Sequence, residues 1–251
     1  MEKRQVFYII YLINFERGII MKKVYKVLAA GIGLGLLITI LSIAFKWEED
    51  KVLYYYWRIG FAILLIILIV NTCYYFYKLN QIKKLMKLFE EEKYQSFVDQ
   101  MEKLIAKTKV KTIKNIMKLN LGAGYIELKD PKKTLEIYKT LDPKKLSSKE
   151  LKLVYWLNTM VSYFRLEDFN NFKIAYKDNG EILKAFENNK NYSNSIQEVY
   201  ILKAILDEDL DQAREKLEEL KNKSTKAKSK DDYENLEKLI NEKQERKTNE
   251  L

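Results

Sequence analysis

"LGAGYIELKDPKKTLEIYKTLDP", residues 121–143, allows two incompatible readings of its opening Gly-Ala-Gly. One is a phosphate-cradling turn; the other is a point where one helix must approach another. A phosphate loop requires a strand before it and a Lys-Ser/Thr pair after it, and neither is present. The downstream residues favour the second reading. Asp130 stands at an N-cap position, and Pro131 falls on the first helical residue, where its missing N–H costs nothing. Gly122 therefore sits inside a helix that turns sharply into a second one. The missing side chain is expected to let the paired helix come close.

Working outward, the same grammar recurs. Tyr94, Phe97, Val98, Met101, Leu104 and Ile105 form one stripe at helical spacing. Ser147 and Glu150, Ser195 and Glu198, and Asp231 and Glu234 have capping-box spacing, and Asp168 and Asp209 are further caps. The helices so delimited are short, roughly 10 to 17 residues, with short links. "YIELKDP" at 125–131 is echoed by "YFRLEDF" at 163–169. Tyr125 and Tyr163 are 38 apart, as are Tyr138 and Tyr176, and Thr134 and Ala213 are 79 apart, about two such periods.

Leu121, Gly122, Tyr125, Thr134, Tyr138 and Leu141 follow the order and spacing of a tetratricopeptide repeat, a pair of antiparallel helices, which the stretch resembles. Ala204, Ala213, Leu217 and Leu220 occupy corresponding places further on. The departures are specific: Lys118 stands at the usual tryptophan position, Pro143 comes early, and Met160 replaces the expected glycine of the middle repeat. The resemblance spans about residues 85–220 and implies a curved stack of helix pairs with a groove for a peptide or protein partner. Tyr125, Tyr155, Trp156, Tyr163 and Tyr176 are the candidate groove residues.

Before residue 80 the chain changes character. Val27–Phe45 and Ile59–Tyr77 are each 19 residues without a charge, the length that just spans a hydrocarbon layer. The link between them is too short for a domain, so the two form an antiparallel hairpin. Lys22, Lys23, Lys26, Lys78, Lys83, Lys84 and Lys87 flank the outside of the pair, which places both termini in the cytoplasm. Tyr54 to Trp57 form an outer aromatic belt with Arg58 at the boundary, and Tyr74, Tyr75 and Tyr77 an inner one. Ala29 and Gly33, and Gly31 and Gly35, have the small-xxx-small spacing that brings helices together, within the hairpin or in a homo-oligomer. Asn71, the one strongly polar mid-span residue, is placed to hydrogen-bond to the first helix near Gly35. "ERGIIMKK" reads as a translated ribosome-binding site, so residues 1–20 are an extension and Met21 the expected start.

Composition removes whole classes of chemistry. With no histidine and only Cys73 among 251 residues, Ser-His and Cys-His nucleophiles, Cys/His metal sites and intramolecular disulfides are excluded. Two prolines and eight glycines argue against a turn-rich β fold. Glu90, Glu91 and Glu92 read as solvated helix positions, and Asp207, Glu208, Asp209 and Asp211 lack the glycine and closing glutamate of a calcium loop. Lys107, Lys111, Lys114 and Lys118 share a helical face that is placed to lie on anionic headgroups, within a net charge of +10. No nucleic-acid module accompanies that charge.

The expectation is an all-α protein with no catalytic residue, cofactor or metal. Its parts are a two-helix transmembrane hairpin over 21–78, a cytoplasmic α-solenoid of antiparallel helix pairs over 79–220, and a polar linker and terminal helix over 221–251. The expected role is a scaffold that presents the repeats to a protein or peptide at a bacterial cytoplasmic membrane. The rivals are a membrane enzyme or transport component whose hairpin is the active part, and a lipid-surface-responsive regulator.

Overall fold

The computed structural model describes residues 12–44, 49–223 and 230–249. Among these there are eleven α-helices, a short 3₁₀ turn and no strand, so the fold is all-α. The chain divides into two compact units, with the boundary between Lys83 and Lys84. The proposed extension up to residue 11, the link at 45–48 and most of the polar linker, 224–229, lie outside the described residues.

The first unit contains α1, Leu12–Ala44, and most of α2, Glu49–Glu90. Within α2, the segment Arg58–Glu90 is long and apolar enough to cross a membrane; Ala29–Ala44 is a shorter apolar stretch. Large side chains along α2 stand in the open, Phe61 at 65% and Ile66 at 58% exposure. In water each such side chain forgoes about 1.5–3 kcal/mol of burial. Both ends of the apolar run are dressed with polar-tipped aromatics. The Arg58 guanidinium lies 4.2 Å from the Tyr54 ring centroid one turn earlier. At the other end, Lys78 donates to Gln81 Oε1 (3.1 Å), and Gln81 donates to the Tyr77 hydroxyl (3.0 Å).

The second unit is a succession of helix hairpins. α3 (Tyr94–Ala106) follows the end of α2; α4 (Lys111–Glu127) pairs with α5 (Pro131–Lys139). Next, α6 (Lys149–Arg165) pairs with α7 (Phe169–Asp178), and α9 (Ser193–Leu206) with α10 (Leu210–Lys223). α8, Gly180–Phe186, is an extra short helix before the last pair, and α11, Lys230–Asn249, packs on α10. Consecutive helices touch, and so do the leading helices of successive pairs: α4 packs on α6, and α6 on α9.

Each pair closes with one and the same turn. Glu92, Lys129, Glu167 and Glu208 all have φ near +60°, between 57° and 62°, and are 37, 38 and 41 residues apart. After each comes a backbone N–H that reaches back five residues: Lys93 to Leu88 O, Asp130 to Tyr125 O, Asp168 to Tyr163 O, and Asp209 to Ala204 O, at 2.9–3.0 Å. That is the Schellman closure of a helix C-terminus. In three of the four, the same residue caps the next helix: Asp130, Asp168 and Asp209 accept from the backbone N–H of Lys133, Asn171 and Gln212. The wider last interval coincides with the inserted α8.

Other expected caps shift. Ser148, not Ser147, caps α6 through Leu151 N (3.2 Å). Ser195 is buried within α9, which starts at Ser193, and Asp231 lies inside α11. Spacing to a glutamate marks a helix start only to within a residue or two. Glu91 and Glu92, expected on a helix face, instead form the turn into α3.

The core follows from the turns. Phe89 meets Tyr94 and Phe97 edge-on, with centroids 5.0 and 5.1 Å apart. A Cβ placed on Gly122 would lie 2.3 Å from the Tyr138 ring, and one on Gly124 would lie 2.8 Å from Phe97. Both glycines are thus points of close helix approach, as the opening stretch predicts for Gly122. Tyr138 is buried to 1% and donates to Leu119 O (2.8 Å), while Asn158 donates to its hydroxyl (2.7 Å). Thirty-eight residues on, Met160 takes the glycine's place and Tyr176 is only half-buried.

Candidate functional site

Three helices of the second unit each contribute neighbours along one face to a single recess of about 270 Å³. α3 supplies Glu102, Ile105 and Ala106, at i, i+3 and i+4; α4 supplies Lys118 and Leu121; α5 supplies Ile137, with Thr140 at its C-cap. The wall is aliphatic, with one carboxylate and one ammonium on it.

Each charge is held by a hydroxyl rather than by the other charge. Lys118 Nζ donates to Thr140 Oγ1 at 2.7 Å, and that hydroxyl donates to Ile137 O at 2.6 Å. Glu102 Oε1 accepts from the Tyr125 hydroxyl at 2.6 Å. Burial pushes the Lys118 ammonium's pKa down, and the neighbouring Lys114 pushes it the same way. Tyr125 is shifted up, first by burial and then by the Glu102 carboxylate that accepts its hydrogen bond.

The five aromatic residues expected to line a groove are all half-buried, but none lines this recess. They fall into three local groups. Tyr125 reaches Glu102 across the α3–α4 contact. Tyr155 stacks on Tyr138 at 5.2 Å and meets Trp156 edge-on at 4.9 Å; burial raises its pKa, with the Tyr163 hydroxyl adding to the shift. Tyr176 stacks on Phe172 and meets Tyr200 edge-on, with Lys203 Nζ 5.4 Å from its ring centroid. Burial, chiefly, pushes Tyr200 up to about 12.

The lysine stripe is broken. Lys107 is the C-cap of α3, and α4 begins only at Lys111, so helical spacing does not connect the two. The break is made by Thr108, buried, whose hydroxyl donates to Leu104 O (2.7 Å) as its backbone N–H bonds to Ile105 O. Lys111 remains exposed, Lys114 is half-buried, and Lys118 turns onto the recess wall.

In the first unit, a Cβ on Gly31 would lie 3.5 Å from Leu64, so the two apolar helices are in contact there. Gly35 is buried and its carbonyl accepts from Thr39 (2.9 Å). Ala29 is exposed, and nothing lies within 4 Å of a Cβ on Gly33. Asn71 departs from expectation: it is exposed and donates to Ile67 O in its own helix (2.9 Å), not towards Gly35. A carbonyl one turn back is always within reach of a short amide side chain in a helix.

Sequence reading missed Glu102, Ile105, Ala106, Leu121, Ile137 and Thr140 as a set because they join three helices. Lys118, picked out on the lysine stripe, is the one recess residue whose charge marked it, and it lines the recess beside Leu121. No protein-family model, no curated protein and no solved structure matches this chain.

Proposed function

We propose that this chain is a membrane-anchored scaffold whose helical-repeat unit presents a binding surface to a protein partner. The observation that carries the reading is the pairing of opposite solvent preferences in one chain. The apolar α2 stands exposed beyond what water tolerates, while the unit after Lys84 is built of like hairpins closed by one repeated turn. Stacked hairpins of this kind generate extended surfaces rather than enclosed reaction chambers.

On this reading α1 and α2 are two antiparallel spans packed through Gly31 and Leu64, with both termini in the cytoplasm of a bacterial cell. The tetratricopeptide resemblance supports a partner that is a peptide or a helix. The test is photo-crosslinking in native membranes, with a photoreactive residue at Ile137 and a second at Tyr155. The expected result is a discrete protein adduct from at least one position in the pelleted fraction. Adducts confined to lipid, or a chain found in the supernatant of a detergent-free lysate, overturn the reading.

A further inference from the structure

We infer that the recess between α3, α4 and α5 is a docking site for an acidic, aliphatic segment of a partner protein: an aliphatic side chain enters between Ile105, Leu121 and Ile137 while a neighbouring carboxylate pairs with Lys118. The inference rests on the scaffold reading and gives it a chemistry. Three observations bear on it. The wall is aliphatic on three helices, and a volume of about 270 Å³ falls below the range of roughly 300–1,000 Å³ in which drug-sized ligands are enclosed, so it suits one or two side chains. The charges are unbalanced towards the positive. With Lys114 one turn from Lys118, two ammonium groups stand against one carboxylate, and Lys118 itself meets only a neutral hydroxyl, Thr140; Glu102 keeps its charge as it accepts from the neutral Tyr125 hydroxyl. Finally, Lys118 is partly desolvated with no anion to offset the cost, and burial leads the causes that lower its pKa. An incoming carboxylate supplies the missing counter-charge, and the aliphatic wall holds it in register.

The probe is a fluorescein-labelled library of amphipathic peptides, roughly twelve residues long, with Leu, Ile or Met on one face and Glu or its isostere Gln one turn away. It is titrated against the full chain in neutral nanodiscs. Binding is expected from the Glu members, weakening with added salt. Lys118→Gln weakens it about tenfold, the scale of one charge-assisted contact, and Lys118→Arg retains most of it. Ile137→Asp abolishes it; circular dichroism and the melting temperature report whether each variant is folded. Should Ile137→Asp fail to fold, Lys118→Gln and the Glu-to-Gln peptide exchange still decide. The inference is overturned if Gln members bind as well as Glu members, if Lys118→Gln changes nothing, if no member binds, or if Lys118→Gln instead weakens binding to vesicles of anionic lipid. A photo-crosslinked protein adduct that persists undiminished in Lys118→Gln overturns the recess while leaving the scaffold reading in place.

Discussion

Along Ile59–Val70 most large apolar side chains face outward, Phe61 at 65% and Ile66 at 58% exposure, whereas Phe97, Ile116 and Leu157 beyond Lys84 are at 0%. The residue types are alike and so is the helical conformation. What differs is the pattern: an unbroken apolar run in one region, a stripe with polar residues between in the other. A stripe has one face to bury and so specifies a neighbour; an unbroken run has no preferred face and is satisfied by an apolar medium all round. Ile174 on α7, at 57%, and Leu166, at 42%, are scattered exceptions in the second unit and need no partner to explain them.

The largest effect that tests this contrast comes from charging the run. Ile63→Arg with Ile67→Arg costs about 6 kcal/mol of membrane partition if both sit mid-bilayer, and the expected result is loss of the carbonate-resistant pelleted fraction. The matching Ile174→Arg leaves pelleting unchanged and moves the stability of the second unit by no more than about 0.5 kcal/mol. A double variant that still resists extraction breaks the comparison, since the run would then be held by protein contacts.

Glycines give a second, smaller contrast. Gly122→Ala drives a methyl into the Tyr138 ring, which is fixed by hydrogen bonds to Leu119 and Asn158 and cannot step aside. The expected destabilisation is about 1–3 kcal/mol, read as a lower melting temperature. Gly33→Ala meets nothing within 4 Å and gains helix propensity, so it should be neutral or slightly stabilising. Equal melting shifts in the two variants would mean that Gly122 is not a packing contact.

The same glycine shows what the sequence made legible. The all-helical class, the caps at Asp130, Asp168 and Asp209, and the close approach at Gly122 were readable because each is written in residues adjacent along the chain. The echo of "YIELKDP" in "YFRLEDF" caught two of the four turns. The first was hidden because Lys93 stands where the others have aspartate, and the last keeps the Asp209 cap but has Ala204 and Asp207 where the echo has tyrosine and leucine. The recess was out of reach for a different reason. Glu102, Lys118 and Thr140 are brought together by packing of α3, α4 and α5, and no local spacing encodes that. α8, with only seven residues, is too short to show a periodicity of its own.

The smallest effect concerns the turns themselves. Lys129, Glu167 and Glu208 hold the left-handed conformation at φ of 61°, 57° and 60°, a position where a Cβ is unfavourable and glycine is the usual occupant. Glycine relieves that contact but loses more chain entropy on folding, so the two terms oppose each other. The Cβ term is the larger, and each of Lys129→Gly, Glu167→Gly and Glu208→Gly should stabilise by roughly 0.5 kcal/mol in denaturant unfolding. Alanine at the same sites isolates the cause. It keeps the Cβ and removes only the rest of the side chain, so Lys129→Ala should show none of the gain. If alanine and glycine stabilise equally, the benefit comes from side-chain charge or solvation rather than from backbone conformation. The four turns would then be alike in shape for a reason other than the shared hydrogen bonds that close them.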